Sequence, residues 1–442
     1  MPTATSQKMI RLKEALLRSN VLFIIWAVIA SFGAYFCMYA FRKPFNAGLY
    51  TGLELWGIGY KAILIISQVA GYTLSKFAGI KIISELKSGS RVILIISLIL
   101  IAEVALLFFG LVPFPYNFVF LFINGLPLGM VYGIVFSFLE GRRFTEMLAM
   151  GLNISVVVAS GILKTTYIEI HKILPYISEF WMPFFMGLLF LPLFLMFVWM
   201  LSVIPSPTQE DILLRTERTP MSGADKRLVM KEFGFPIVCL VICYAILVVG
   251  RDFRDNFTIE IWNELDANWA SSVLSTTEMI TGIIVLIVIG SLAFVRDNLI
   301  GFRLTNLILV SGMFITGLST FLFQHALING FYWMLLIGLG MFLSYTILQS
   351  VVFERMIALF RMKANAGYFV YICESIGYLG SAALLLYKEF FMKSMSWANV
   401  LMQFSYLQFG VGFVLLALSN IYFERRRSEK KQKLDTIPFS PV

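Results

Sequence analysis

The stretch Val21-Leu-Phe-Ile-Ile-Trp-Ala-Val-Ile-Ala-Ser-Phe-Gly-Ala-Tyr-Phe-Cys-Met-Tyr-Ala-Phe41 carries no charge, and Arg42-Lys43 closes it. About 20 such residues are what a helix needs to cross the hydrocarbon core of a bilayer. The run is too long for the core of a signal peptide, and no small-residue cleavage site follows, so it is expected to be retained. Further apolar stretches follow near 58–80, 92–112, 116–139, 147–168 and 181–204, and again near 235–254, 270–294, 304–323, 331–353, 364–387 and 399–423. At about 35 residues per helix and loop, the chain holds roughly twelve spans. Composition agrees: 59% of the 442 residues are hydrophobic and 14% charged, against about 45–50% and 25% in soluble domains. The net charge of +9 would suit a nucleic-acid binder, but such a domain would not carry these runs, so no nucleic-acid partner is expected.

The expected fold is an all-α membrane protein, with twelve transmembrane helices in two pseudo-symmetric six-helix bundles. Residues 205–234, with three prolines and ten charged residues, read as a linker. The expected division is thus 1–204 for the first bundle, 205–234 for a cytoplasmic linker, 235–424 for the second bundle and 425–442 for a basic tail. Lysine and arginine gather at both ends, in the linker and in the loops after even-numbered spans (Lys81, Lys87, Arg91; Arg142, Arg143; Arg296, Arg303; Arg355, Arg361, Lys363). Positive charge resists translocation, which puts both termini in the cytoplasm. The short loops and basic pattern suit a bacterial inner membrane. The halves echo each other: Arg42 closes the first span as Arg251 closes the seventh, and Gly151 and Gly161 answer to Gly367 and Gly377. Carriers built from such repeats bind their solute near the midplane.

Charge inside a span costs about 2.5 kcal/mol or more at the centre and asks for a reason. Tyr35, Tyr39 and Arg42 recur at i, i+4 and i+7 and share one helical face. With Lys76 and Arg251 they form the candidate substrate-binding set, because converging cations flanked by phenols make a receptor for an anion. The bland alternative is that Arg42, Arg251 and Lys76 are flanks that snorkel to the surface. Glu278 and Glu374 are candidates for proton coupling or charge balance, since a carboxyl in low dielectric can take a proton near neutral pH. Asp252, Arg254 and Asp255 read as an ion-pair cluster at a helix end, and Glu103 as a packing or interhelical hydrogen-bonding residue.

No enzyme is expected: HExxH, P-loop and GxSxG patterns are lacking, and His171 and His325 fall at extracellular loop positions. Nor is a catalytic residue, metal site or cofactor. Cys37, Cys239, Cys243 and Cys373 lie in apolar segments and read as small buried hydrophobes. Gly338 and Gly340 are expected to serve close helix packing. The expected partners are a small anionic solute and the lipid bilayer, which the tail Glu424-Arg-Arg-Arg-Ser-Glu-Lys-Lys-Gln-Lys433 would anchor, and the protein is expected to be a monomer.

The stretch Tyr39-Ala-Phe-Arg42-Lys43-Pro-Phe45 resembles the tyrosine-x-x-arginine-lysine-x-phenylalanine signature of the organophosphate:phosphate antiporters, a branch of the major facilitator superfamily that includes glycerol-3-phosphate and hexose-phosphate transporters. Gly71-Tyr72-Thr-Leu-Ser75-Lys76-Phe77 is similar to that family's second-span motif, and Asn124-Gly125 with Gly129-Met130, and Gly377-Tyr378-Leu379-Gly380, to its fourth and eleventh spans. The resemblance implies that Arg42 and Arg251 hold a phosphate with help from Lys76. The family's fifth-span histidine is replaced by Leu152-Asn153, and Pro44 stands where a helix-compatible residue is usual. On these grounds the chain is expected to be a secondary active transporter of a small organic anion such as a phosphorylated metabolite. A proton symporter of a sugar, nucleoside or peptide, and a non-transporting sensor or scaffold on a carrier fold, are the alternatives.

Overall fold

In lipid every backbone donor and acceptor must be met within its own segment, so uncharged runs of this length become helices. The computed structural model describes residues 4–84, 86, 88–140, 145–206, 223–266, 268–292, 294–295, 297–360, 362, 364 and 366–435. Most of the expected linker (207–222), the basic residues Lys87, Arg142, Arg143, Arg296, Arg361 and Lys363, and tail residues 436–442 lie outside them.

The helices are α1 (Ala4–Arg18), α2 (Asn20–Ala40), α3 (Tyr60–Ser84), α4 (Arg91–Leu111), α5 (Phe118–Leu139), α6 (Thr145–Ile173), α7 (Met182–Val203), α8 (Gly223–Asn256), α9 (Thr258–Leu265), α10 (Ser272–Leu292), α11 (Asn298–Gln324), α12 (Gly330–Ile347), α13 (Phe353–Phe360), α14 (Ala366–Phe391) and α15 (Trp397–Asp435). Among the described residues, 12 helical segments are long and apolar enough to cross a membrane, one of them running from α12 through a π turn (Leu348–Val352) into α13. The chain is an integral membrane protein of all-α class. A two-residue ribbon, β1 (Glu54–Leu55) with β2 (Ile58–Gly59), interrupts the loop before α3 and is turned by Trp56 and Gly57, both at positive φ. Of the two histidines, His171 departs from the expected loop position and sits in the last turn of α6, whereas His325 lies in the turn that follows α11.

The helices gather into two compact units. Unit 1 comprises residues 1–216, 255–290 and 385–395, and unit 2 comprises 217–254, 291–384 and 396–442. Within unit 1, α3 packs on α5 so closely that a methyl group on Gly71 or Gly125 would overlap the carbonyl of Phe122 or Gln68. Association in lipid rests on such contacts, because apolar side chains gain nothing by leaving the tails for one another. In unit 2, α11 crosses α12 where Gly312 and Gly340 face each other's carbonyls. Gly338 has another use: a side chain there would meet the Arg254 guanidinium, 2.8 Å from its Cβ. All four cysteines are buried and free.

Candidate functional site

In unit 1, α2 stops at Ala40, and Pro44, with no N–H to donate, opens a 3-10 turn over Pro44–Ala47. The carbonyls released there are met by side chains. Asn124 Nδ2 donates to the Phe41 carbonyl at 3.1 Å, and Gln68 Nε2 donates to the Arg42 carbonyl at 2.9 Å and to Asn124 Oδ1 at 2.8 Å. This pair of amides fixes the backbone from which Arg42 projects. Its guanidinium lies 3.8 Å from the centroid of the Tyr72 ring and 5.8 Å from that of Tyr39. Lys76, one turn beyond Tyr72 on α3, brings its ammonium 5.2 Å from the same ring. Two cations thus use the quadrupole of one phenol, an attraction that strengthens as water is excluded.

Arg42 is 7% exposed, a buried residue and not a snorkelling flank. Tyr35 meets Tyr39 edge-on at 5.5 Å and Tyr132 at 5.4 Å, and the Tyr132 hydroxyl donates to Asn153 Oδ1 at 2.9 Å. Tyr35, Tyr39, Arg42 and Lys76 are therefore brought together. Tyr72, at the centre of the group, is a residue that charge-based reasoning passes over, although it stands in the same motif as Lys76.

A second polar group of unit 1 joins the turn after α2, α3 and α6 to residues 255–260. Asp255 receives Lys43 on one carboxylate oxygen, and Lys164 (2.9 Å) and Ser160 on the other. Asn256 Oδ1 accepts from Lys43 Nζ at 3.0 Å and from Asn46 Nδ2 at 2.8 Å, and Lys61 pairs with Glu260. Glu278 accepts from the backbone N–H of Gly161, so its carboxylate ties α10 to α6. Residues 385–395 join the same unit through Glu389, which accepts from Gly59 N at 2.9 Å, and Lys393, which pairs with Glu54 at 3.1 Å. In the loop after α2, burial, then the neighbouring Tyr167 and Glu179, push the Tyr50 phenol well above its ordinary value.

Unit 2 repeats the arginine-on-tyrosine theme. The Arg251 guanidinium lies 4.1 Å from the centroid of Tyr345 and donates to Asp252 Oδ1 through Nε (3.1 Å) and Nη2 (2.8 Å). Ser381 donates to the other oxygen of Asp252 at 3.2 Å. Glu374 accepts from Gln349 Nε2 at 3.0 Å, Tyr244 at 3.3 Å and Tyr345 at 3.5 Å. Gln349 stands on the π turn, the kind of wide turn that re-aims a side chain near functional sites. The expected cluster of Asp252, Arg254 and Asp255 does not form. Asp252 serves Arg251, Asp255 serves the lysines of unit 1, and Arg254 donates to the Met334 carbonyl at 3.3 Å.

The model of a protein family described as a family of unknown function, DUF5690, matches residues 44–426. The chain belongs to that family. A search of curated proteins finds no match. Among solved structures, this DUF5690 protein is similar to the nucleoside transporter NupG, with TM-score 0.60 and 13% identity over 89% of this chain and 98% of that one. A mutant form of NupG gives 0.58 and 14% over 90% and 99%. Identity this low carries the fold alone, that of an all-α membrane protein with twelve membrane-length helices.

Proposed function

We propose that this DUF5690 protein is a secondary carrier, working by alternating access, for a small polar solute with a flat ring, of the nucleoside class. The observation that carries the reading is the theme found in each unit: an arginine on a tyrosine ring, at 3.8 Å for Arg42 and Tyr72 and 4.1 Å for Arg251 and Tyr345. Arg251 already has Asp252 as its counter-charge, which lessens its pull on a free anion and suits a solute without net charge. Tyr35, Tyr39, Tyr72 and Tyr345 offer faces for a base. Glu374 and Gln349 offer an acceptor and a donor for hydroxyl groups, the selective kind of contact. The fold is shared with a nucleoside transporter, although fold by itself does not fix function. In this reading both termini face the cytoplasm of a bacterial cell, the protein works as a monomer, and the basic end of α15 lies against anionic lipid.

A specific observation favours a second reading, exchange of an organic anion: Arg42 and Lys76 both reach Tyr72, and the resemblance to organophosphate antiporters runs through those residues. Thermal unfolding of the purified protein separates the two, because a solute that binds only the folded form stabilises it by about 2.7 kcal/mol at 100 times its Kd. Uridine is expected to raise the melting temperature, and glycerol 3-phosphate to leave it unchanged. The reverse result would favour the anion.

A further inference from the structure

Glu103 lies mid-way along α4, and of the two roles the sequence offers it, packing or interhelical hydrogen bonding, the structure shows packing and no hydrogen bond from its carboxyl. The residue is 6% exposed, and neither carboxyl oxygen has a hydrogen-bond partner. The carboxyl fills a recess shaped for it in α7: a Cβ at Gly187 would fall on Oε2, with the Phe41 ring behind. The surrounding elements provide no charge to balance an ionised form. Across Met182–Val203, α7 carries no titratable group; on α5 the sole one is Tyr132; the turn Ser88–Ser90 has none; α4 itself adds Arg91 at its far end. On α2 stand Tyr35, Cys37 and Tyr39, followed by Arg42 and Lys43. Those two cations are engaged elsewhere, over Tyr72 and with Asp255. An ionised carboxylate in such a place would cost several kcal/mol, and buried acids escape that cost by holding a proton.

The recess is also wired to the candidate site. Asn124 Nδ2 donates both to the carbonyl of Ala102, the residue before Glu103, at 3.0 Å, and to that of Phe41 at 3.1 Å. Gln68 extends the link to the Arg42 carbonyl. A shift of α4 that hydrated Glu103 would pull on the same two amides that hold the backbone of Arg42.

We propose that Glu103 is the proton-carrying group of the transport cycle. It keeps its proton while packed against Gly187. It releases the proton to water when α2, α4 and α7 repack, and takes another from the opposite side as they return. One proton crosses per cycle, with no other bond made or broken. This rests on the carrier reading, whose failure can be told apart from its own.

Infrared difference spectra of the full-length protein, wild type minus Glu103→Gln at neutral pH, test the proton without any solute. The carbonyl band of a protonated carboxylic acid is expected, and a carboxylate band in its place would overturn the proposal. In vesicles, an inward gradient of one pH unit should let the wild type accumulate uridine up to about tenfold. Glu103→Gln, which mimics the neutral acid, should lose that accumulation while still exchanging labelled for unlabelled uridine at equal pH. Gradient-driven accumulation undiminished in Glu103→Gln would refute the coupling role. A wild type that neither accumulates nor exchanges uridine refutes the nucleoside reading, and the infrared difference still decides whether Glu103 holds a proton.

Discussion

Replacing Asp255 with asparagine is expected to destabilise the protein by about 3–5 kcal/mol, the usual cost of removing one partner from a buried ion pair. Asp255 is the shared carboxylate of two lysines, and Lys164, with a side chain 1% exposed, has no route to water. Asparagine keeps the shape and loses the charge, which leaves two ammonium groups facing each other through amides and hydroxyls. The penalty belongs to the stranded cations more than to the pair, so removing all three charges should restore most of the stability. The triple variant Lys43→Met, Lys164→Met, Asp255→Leu is therefore expected to unfold close to the wild type, as apolar replacements of buried ion pairs often do. Unfolding midpoints in one detergent at one salt concentration would check both statements. An asparagine variant within about 1 kcal/mol of wild type, below the range for broken buried pairs, would show that the lysines find other partners.

Gly125→Val should be still more damaging. Its Cβ would overlap the Gln68 carbonyl and come within 2.8 Å of the Tyr72 backbone nitrogen. These are main-chain atoms that cannot turn aside, so α3 and α5 would have to separate. Losses above about 4 kcal/mol come from a short list of causes, and overpacking of a core is one of them. Separation would also carry off Gln68, Tyr72 and Lys76, and with them the support under Arg42. The expected result is a protein that is made but elutes aggregated from a sizing column. Gly410→Ala is the control: its Cβ meets nothing within 4 Å. It should express as wild type does and gain up to about 1 kcal/mol in helix propensity. Equal behaviour of the two variants would mean that the α3–α5 crossing is looser than described.

Much of the architecture can be read from residues such as Val21–Phe41, because a bilayer asks a simple thing of a sequence: about 20 residues without charge. The spacing of Tyr35, Tyr39 and Arg42 likewise announces one helical face, and the structure keeps all three together, with Arg42 reaching Tyr72 on α3. Partners distant along the chain are another matter. Lys164 sits in an apolar stretch and finds Asp255 across 91 residues, a pairing that neither composition nor periodicity encodes. Gln349 reaches Glu374 from a π turn, and no local signal marks a turn of that width. Trp262, in the short helix α9, is 4% exposed and packs on Trp269, a contact that no local signal marks. The grouping of residues 255–290 with unit 1 follows from contacts at Asp255, Asn256, Glu260 and Glu278. Each is an ordinary polar residue until its neighbour is known. Glu103 is visible as a charge in a span, but its empty surroundings become apparent only when α7 lies beside it.

The claim that this protein carries a small, flat polar solute is tested most directly by counterflow in sealed vesicles. Purified protein is reconstituted with unlabelled uridine inside and labelled uridine outside, and glycerol 3-phosphate is run in parallel. The wild type should exchange uridine and not the phosphate. Arg42→Gln and Arg251→Gln should each lose about tenfold to a hundredfold in rate, the worth of one hydrogen bond to a charged group, while inserting normally. Wild-type vesicles that exchange no uridine, or arginine variants that exchange it at the full rate, would contradict the account.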